Sequence, residues 1–201
     1  MFCSMIILKG CGLYVNLGSA REWARTLIEN SISEGAKAID ATMGNGHDTL
    51  WLAKLVGENG MVYAFDVQKE AVENTRKRLE EENMLSRAQL FLKGHENIGL
   101  TVRSMVDAAV FNLGWLPGHE KSVRTQVNTT LSAVEQALSL LKVGGILTVC
   151  VYPGHEEGDK ELAALTKWAE NLNDKQFDAL IFRYANISKK PPVLITVTKR
   201  K

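Results

Sequence analysis

Three cysteines in 201 residues, Cys3, Cys11 and Cys150, are an odd number with no CxxC pair among them. That spacing suggests neither a disulfide framework nor a zinc site, so no metal is expected, and a reducing, cytoplasmic setting is favoured. An excess of one charge is also missing: 24 Lys and Arg against 23 Asp and Glu leave +1. Nothing global draws such a chain to nucleic acid or to a membrane, and any nucleic-acid contact must come from a local patch. Long apolar runs are absent too. The opening residues MFCSMIILKG have no basic leader segment, and their apolar run Met5 to Leu8 is far too short to span a bilayer. Residues 1–18 read as a lead-in. No repeat, low-complexity tract or linker divides the remainder, so 19–201 is expected to be one domain. With 45% hydrophobic and 23% charged residues, a chain of this length buries a sizeable core unaided. A homodimer is compatible with this composition.

What is present is a regular alternation. Ser19-Ala20-Arg21-Glu22 has capping-box spacing and predicts a helix start at Ser19. Strands are predicted over 36–41, 61–65, 88–92, 105–111 and 146–152. Helices are predicted over 47–56, 71–82 and 125–141, with a short one over 98–103 and another over 160–172. Gly144-Gly145 closes the connection after the long helix. Strands alternating with helices imply a parallel sheet covered on both faces. The last two strands, 177–185 and 193–198, have no helix between them and should pair antiparallel. The expectation is an α/β, Rossmann-like, seven-stranded sheet with an antiparallel C-terminal hairpin.

The stretch DATMGNGHDT, residues 40–49, follows the first buried strand. A glycine turn there is a nucleotide-site signal. A Walker loop is excluded, because Gly46 is followed by His47-Asp48 instead of a lysine and a hydroxyl. The dinucleotide pattern GxGxxG has its first two glycines in Gly44 and Gly46, but Thr49 stands at the third. Asp40, four residues before Gly44, would repel a pyrophosphate and favour a cation. Asp48, opening the next helix, argues the same way. S-adenosylmethionine fits, with a sulfonium, an ammonium and no phosphate. Asp66, twenty residues beyond Gly46, has the spacing of a carboxylate that bonds a ribose diol. Both NAD and S-adenosylmethionine carry that diol, and a plain helix cap is the alternative use of Asp66.

Gly94, His95 and Glu96 follow the third strand, at the edge where open α/β sheets bind ligands; His95 or Glu96 could meet an adenine, or belong to a polar loop. The fourth strand ends VFNLGWLPG. Asn112 with Leu113-Gly114-Trp115 resembles the [N/D]-P-P-[Y/F/W] motif of amine methyltransferases, with Leu113-Gly114 in place of the prolines. In that chemistry the asparagine oxygen accepts from the target N–H and holds the nitrogen in line with the methyl–sulfur bond, while the aromatic stacks on a planar substrate. A turn cap for Asn112 and a core position for Trp115 are the alternatives. The candidate cofactor shell is thus Asp40, Thr42, Gly44, Asn45, Gly46, His47, Asp48, Asp66, Gln68, His95, Glu96, Asn112, Leu113 and Gly114. The candidate catalytic pair is Asn112 and Trp115.

Taken together, IDATMGNGHDT, VYAFDVQ, VFNLGWLPG and PPVLITV make the chain from about residue 19 onward resemble the bacterial family labelled rRNA methylases, within the class I S-adenosylmethionine-dependent methyltransferases. The resemblance implies that fold. It further implies methylation of the exocyclic amine of 5-aminomethyl-2-thiouridine at the tRNA wobble position. Two departures bear on substrate: Trp115 stands where the family commonly has tyrosine, and Gly118-His119-Glu120-Lys121 where it commonly has Gly-Gly-Asp-Lys.

No dedicated base stands out; His119 and His155 are loop residues. RNA contact is expected from Lys121 and Arg124 after the Asn112 loop and from Lys189 and Lys190 in the final turn, with the tRNA anticodon region as partner. The competing readings are a methyltransferase of rRNA, a small molecule or a protein, an NAD-dependent oxidoreductase, and a non-catalytic S-adenosylmethionine-binding module.

Overall fold

The computed structural model describes residues 17–114 and 126–201. Its seven strands are β1 (Lys37–Asp40), β2 (Met61–Asp66), β3 (Ala88–Leu92), β4 (Val106–Asn112), β5 (Leu141–Val151), β6 (Phe177–Phe182) and β7 (Val193–Lys199). They form one sheet in the order β3-β2-β1-β4-β5-β7-β6. The first five run parallel, and β7 is antiparallel to both β5 and β6. The helices are α1 (Ala20–Glu29), α2 (His47–Val56), α3 (Lys69–Glu81), α4 (Ile98–Thr101), α5 (Val127–Leu140) and α6 (Glu156–Glu170). This is the covered seven-stranded sheet, with one reversed strand, that the alternation predicts.

Side-chain alternation along the strands sorts the core into two layers. Ala38, Ala108 and Val110 face one side and pack on Ile28 of α1, Leu52 and Val56 of α2 and Leu79 of α3. Ile39, Ala109 and Phe111 face the other and pack on Ile98 of α4, Ala133 and Ala137 of α5 and Leu165 of α6. A third cluster seats Ala20 and Ala24 of α1 on Cys150 and Leu194. The capping box is formed: Ser19 Oγ accepts from the Glu22 N–H, and the Glu22 carboxylate accepts from the Ser19 N–H at 2.7 Å.

Several boundaries differ from the sequence reading. β5 starts five residues earlier, directly after α5, because a bulge is inserted: Val106 pairs with Leu141 but Ala108 with Ile146. Gly145 sits where a Cβ would lie 2.9 Å from the Lys142 carbonyl and 3.1 Å from that of Asp107, so the bulge requires glycine. α6 begins at Glu156 instead of Lys160, capped by His155, whose Nδ1 accepts from the Gly158 N–H. Acidic Glu156, Glu157 and Asp159 suit the positive end of the helix. α3 begins two residues early, and β6 ends three residues early. No helix among the described residues is long and apolar enough to cross a membrane, and they hold no metal-binding cluster of His, Cys, Asp and Glu.

Candidate functional site

Three adjacent strands end on polar residues: β2 on Asp66, β1 on Asp40 and β4 on Asn112. Chain order reverses between β1 and β4, the place where a doubly wound sheet opens a crevice at its carboxyl edge.

The glycine turn lies over β1 and is held from α3. Thr75 donates to the Gly44 carbonyl at 3.0 Å, Arg78 to the Asn45 carbonyl at 2.8 Å, and Asn74 to the Asn45 side chain at 3.1 Å. Gly44 (φ 49) and Gly46 (φ 77) both take left-handed backbone, which glycine adopts without strain. Asn45 and His47 therefore direct their side chains to α3, His47 facing Arg78. Burial and the Arg78 charge hold His47 below the usual histidine range.

Asp40 is fully buried. It shares the strand face of Ala38, so its carboxylate lies beneath α2 and accepts from Thr49 Oγ1 at 2.6 Å and from the Thr42 N–H at 3.2 Å. It can act on a ligand through its field and through the loop it braces, not by touching it. Burial first, then the nearby Asp48, push its carboxyl up to about 7. Ionisation between its ordinary 3.8 and about 7 thus costs the folded state. The stabilisation from protonated Asp40 is complete below pH 3.8 and lost as pH rises through about 7. Thermal melts of the ligand-free protein should lose stability between pH 5 and 8 relative to Asp40→Asn, the gap reaching at most ~4 kcal/mol. Parallel curves across that range would refute this account.

Asp66 accepts from the Gly44 N–H at 3.0 Å and the Gln68 N–H at 2.9 Å, tying the glycine turn to the start of α3. Each carboxylate oxygen retains a lone pair for a diol. Beside it Val67 is 57% exposed, an apolar surface that sequence reading passed over. His95 is buried against Phe111, ring centroids 6.0 Å apart, and its Nε2 has no hydrogen-bond partner. Burial holds its pKa below the usual histidine range. Glu96 folds back onto Asn97 at 3.0 Å.

At the end of β4 the Asn112 N–H donates to Thr42 Oγ1 at 2.8 Å, and its side-chain amide donates to Asp48 Oδ2 at 2.9 Å. Asp48 is gripped by Arg25 at 2.6 Å and Arg21 at 3.1 Å, both from α1, and Arg25 lies over the Trp51 ring at 5.1 Å. The arginines escaped the sequence reading; their only signal is the i,i+4 spacing that puts them on one helix face. Tyr152, half-buried beyond Cys150, flanks Arg21 and was also missed. Leu113 turns its side chain into the core, so only its backbone lines the site. Gly114 follows with φ 130. Trp115, His119, Lys121 and Arg124 lie outside the described residues. Lys189 and Lys190 occupy the β6–β7 turn on the same edge, two to three strands from β4; Lys190 pairs with Asp159 at 2.8 Å, and Lys189 is exposed.

A glycine turn tied to a ribose-type acid, with an apolar surface beside it, fits an adenosine ligand; the negative charge that the motif promised is muted, since Asp40 is held protonated up to about 7 and Asp48 is paired with two arginines. The family model described as "Putative rRNA methylase" matches residues 62–198. The chain is 37% identical over 191 residues to an Arabidopsis thaliana protein, tRNA (mnm(5)s(2)U34)-methyltransferase, chloroplastic, covering 90% of this chain and 69% of that one. The crystal structure of a "putative rRNA-methylase" from Clostridium thermocellum superposes with a TM-score of 0.90 at 36% identity, over 92% of this chain and 100% of the other. A Streptococcus mutans methyltransferase in complex with SAH superposes with a TM-score of 0.84 at 38% identity, over 92% and 99%.

Proposed function

The chain belongs to the rRNA-methylase family and is an S-adenosylmethionine-dependent methyltransferase of the tRNA/rRNA-methylase type, and we propose that it methylates the exocyclic aminomethyl nitrogen of 5-aminomethyl-2-thiouridine at the tRNA wobble position. The observation that carries this reading is the 37% identity, across nine-tenths of the chain, with a relative named for that modification. The chemistry of the β4 edge agrees with an amine substrate.

When bound, S-adenosylmethionine supplies an electrophilic methyl group on a sulfonium. The protein's task is to hold and to orient. Asp66 would bond the ribose diol, Val67 would cover a face of the adenine, and His95, buried beneath the edge against Phe111, would support that side of the crevice from below. The backbone of Gly44-Asn45-Gly46 would cradle the methionine part. Asn112 Oδ1 would accept from the substrate N–H and aim the nitrogen lone pair. An alkylamine has a lysine-like pKa of ~10.4 and must lose its proton before attack. Two guanidinium groups against the single Asp48 carboxylate leave that corner net positive, which disfavours the ammonium form. Trp115 would stack on the base, while Lys121, Arg124, Lys189 and Lys190 would meet phosphates of the anticodon arm.

The test is nucleoside mass spectrometry of hypomodified tRNA incubated with the protein and methyl-labelled S-adenosylmethionine. Label is expected in 5-methylaminomethyl-2-thiouridine. Label confined to rRNA, or none in the wobble nucleoside, overturns the proposal.

A further inference from the structure

We infer that Asp48, clamped by Arg21 and Arg25, is a positioning residue for methyl transfer: it dictates which end of the Asn112 amide faces the substrate. The inference rests on the methyl-transfer reading above and concerns how its central side chain is set.

A primary amide has two ends of nearly equal size and opposite hydrogen-bonding character. Only the carbonyl end of Asn112 can accept from an amine N–H; the NH2 end would present a donor to a donor. An isolated asparagine at the end of β4 would populate both orientations. Asp48 removes that freedom, because a carboxylate only accepts. With Asp48 Oδ2 at 2.9 Å, the Asn112 NH2 must point to it, and Oδ1 is turned the other way.

The clamp on Asp48 is itself built in. Its Oδ1 takes Arg25 at 2.6 Å, and its Oδ2 takes Arg21 at 3.1 Å as well as Asn112. The Asp48 side chain is only 12% exposed, while Arg21 and Arg25 reach it from the solvent side. Arg25 is backed by Trp51, which is fixed by its indole N–H to Glu29 at 3.0 Å. The Asn112 backbone is held separately by Thr42 Oγ1. α1 thus reaches the reacting corner through α2, and Asp48 is occupied by protein partners.

A docking role alone, pinning α1 to α2, makes a different prediction, and a reciprocal swap separates the two. Asp48→Asn keeps the size but offers both a donor and an acceptor, so it no longer selects an orientation. Its kcat on hypomodified tRNA should fall about 10- to 100-fold, with S-adenosylmethionine affinity and KM for tRNA within about threefold of native. Asn112→Asp alone sets two carboxylates face to face and should fall at least as far. In the double variant Asp48→Asn/Asn112→Asp, the amide introduced at position 48 donates to one oxygen of the carboxylate at 112 and leaves the other to accept from substrate. Its kcat should rise at least about tenfold above either single variant. Native kcat in Asp48→Asn, or a double variant no faster than the slower single, overturns the inference. So does a double variant whose melting temperature recovers while its kcat does not. No transfer by the native enzyme overturns both this inference and the function it rests on; transfer unaffected by Asp48→Asn overturns the inference alone.

Discussion

Asn112→Ala should lower kcat for tRNA methylation about 10²- to 10³-fold while leaving S-adenosylmethionine affinity within about threefold of native. The size follows from removing one preoriented hydrogen-bond partner at the reacting atom. The side chain is polar and half-buried at the strand end, so truncation opens no fully enclosed cavity. Asp48 keeps both arginines, so no buried charge is stranded. Asp66 and Val67 lie at the end of β2, with β1 between them and β4, away from the change. Single-turnover rates should show the whole loss, because the step affected is chemistry and not product release. Calorimetric titration with the cofactor separates the two halves of the claim. A variant that binds normally and turns over at the native rate would remove Asn112 from the mechanism.

The fold was legible because period and punctuation agree along most of the chain. Near-continuous apolar runs such as Val106 to Phe111 announce buried parallel strands, and the lack of a helix between Phe177 and Val193 announces the reversed one. The exceptions have tertiary causes. The start of β5 depends on a bulge against Asp107, on a neighbouring strand far away in sequence. The start of α6 was hidden because its cap is His155, outside the usual Ser, Thr, Asp and Asn set.

In the site, the acids were legible and their geometry was not. Position in the motif marks Asp40, but only the pairing of β1 between β2 and β4 shows that its side chain turns under Thr49. Asp48 reads from sequence as a helix-opening acid near a ligand. Its partners Arg21 and Arg25 stand 27 and 23 residues away, on a helix that the sequence reading placed only by its capping box. Asn45, between the two glycines, and His47, directly after them, look like ligand contacts from their place in the motif. Asn74 and Arg78 of α3 claim them instead.

Gly46→Ala should damage both stability and cofactor binding, more than its one added methyl suggests. Gly46 has φ 77, a region that costs an L-residue about 1–2 kcal/mol. Its Cβ would also lie 2.8 Å from Thr75 Cα and Oγ1 and 2.9 Å from Thr75 Cγ2. Overpacking of that kind adds about 1–3 kcal/mol. At about 2–4 °C per kcal/mol for a chain of this length, the melting temperature should fall roughly 5–15 °C. The turn must move off α3, and with it Gly44, whose N–H is tied to Asp66. S-adenosylmethionine affinity should therefore drop at least about tenfold, or 1.4 kcal/mol. Gly35→Ala is the control: its φ is 82 with nothing within 4 Å of an added Cβ, and it lies just before β1, at the opposite edge of the sheet. It should cost backbone strain alone and leave cofactor affinity unchanged. If the two variants melt alike and bind alike, the close approach of the turn to α3 is not what holds the site. Thr75→Ala in the Gly46→Ala background refines the point, since it removes Oγ1 and Cγ2 but not the Cα. Rescue should be partial, because the closest obstacle that remains is backbone; complete recovery would place the conflict in the Thr75 side chain alone.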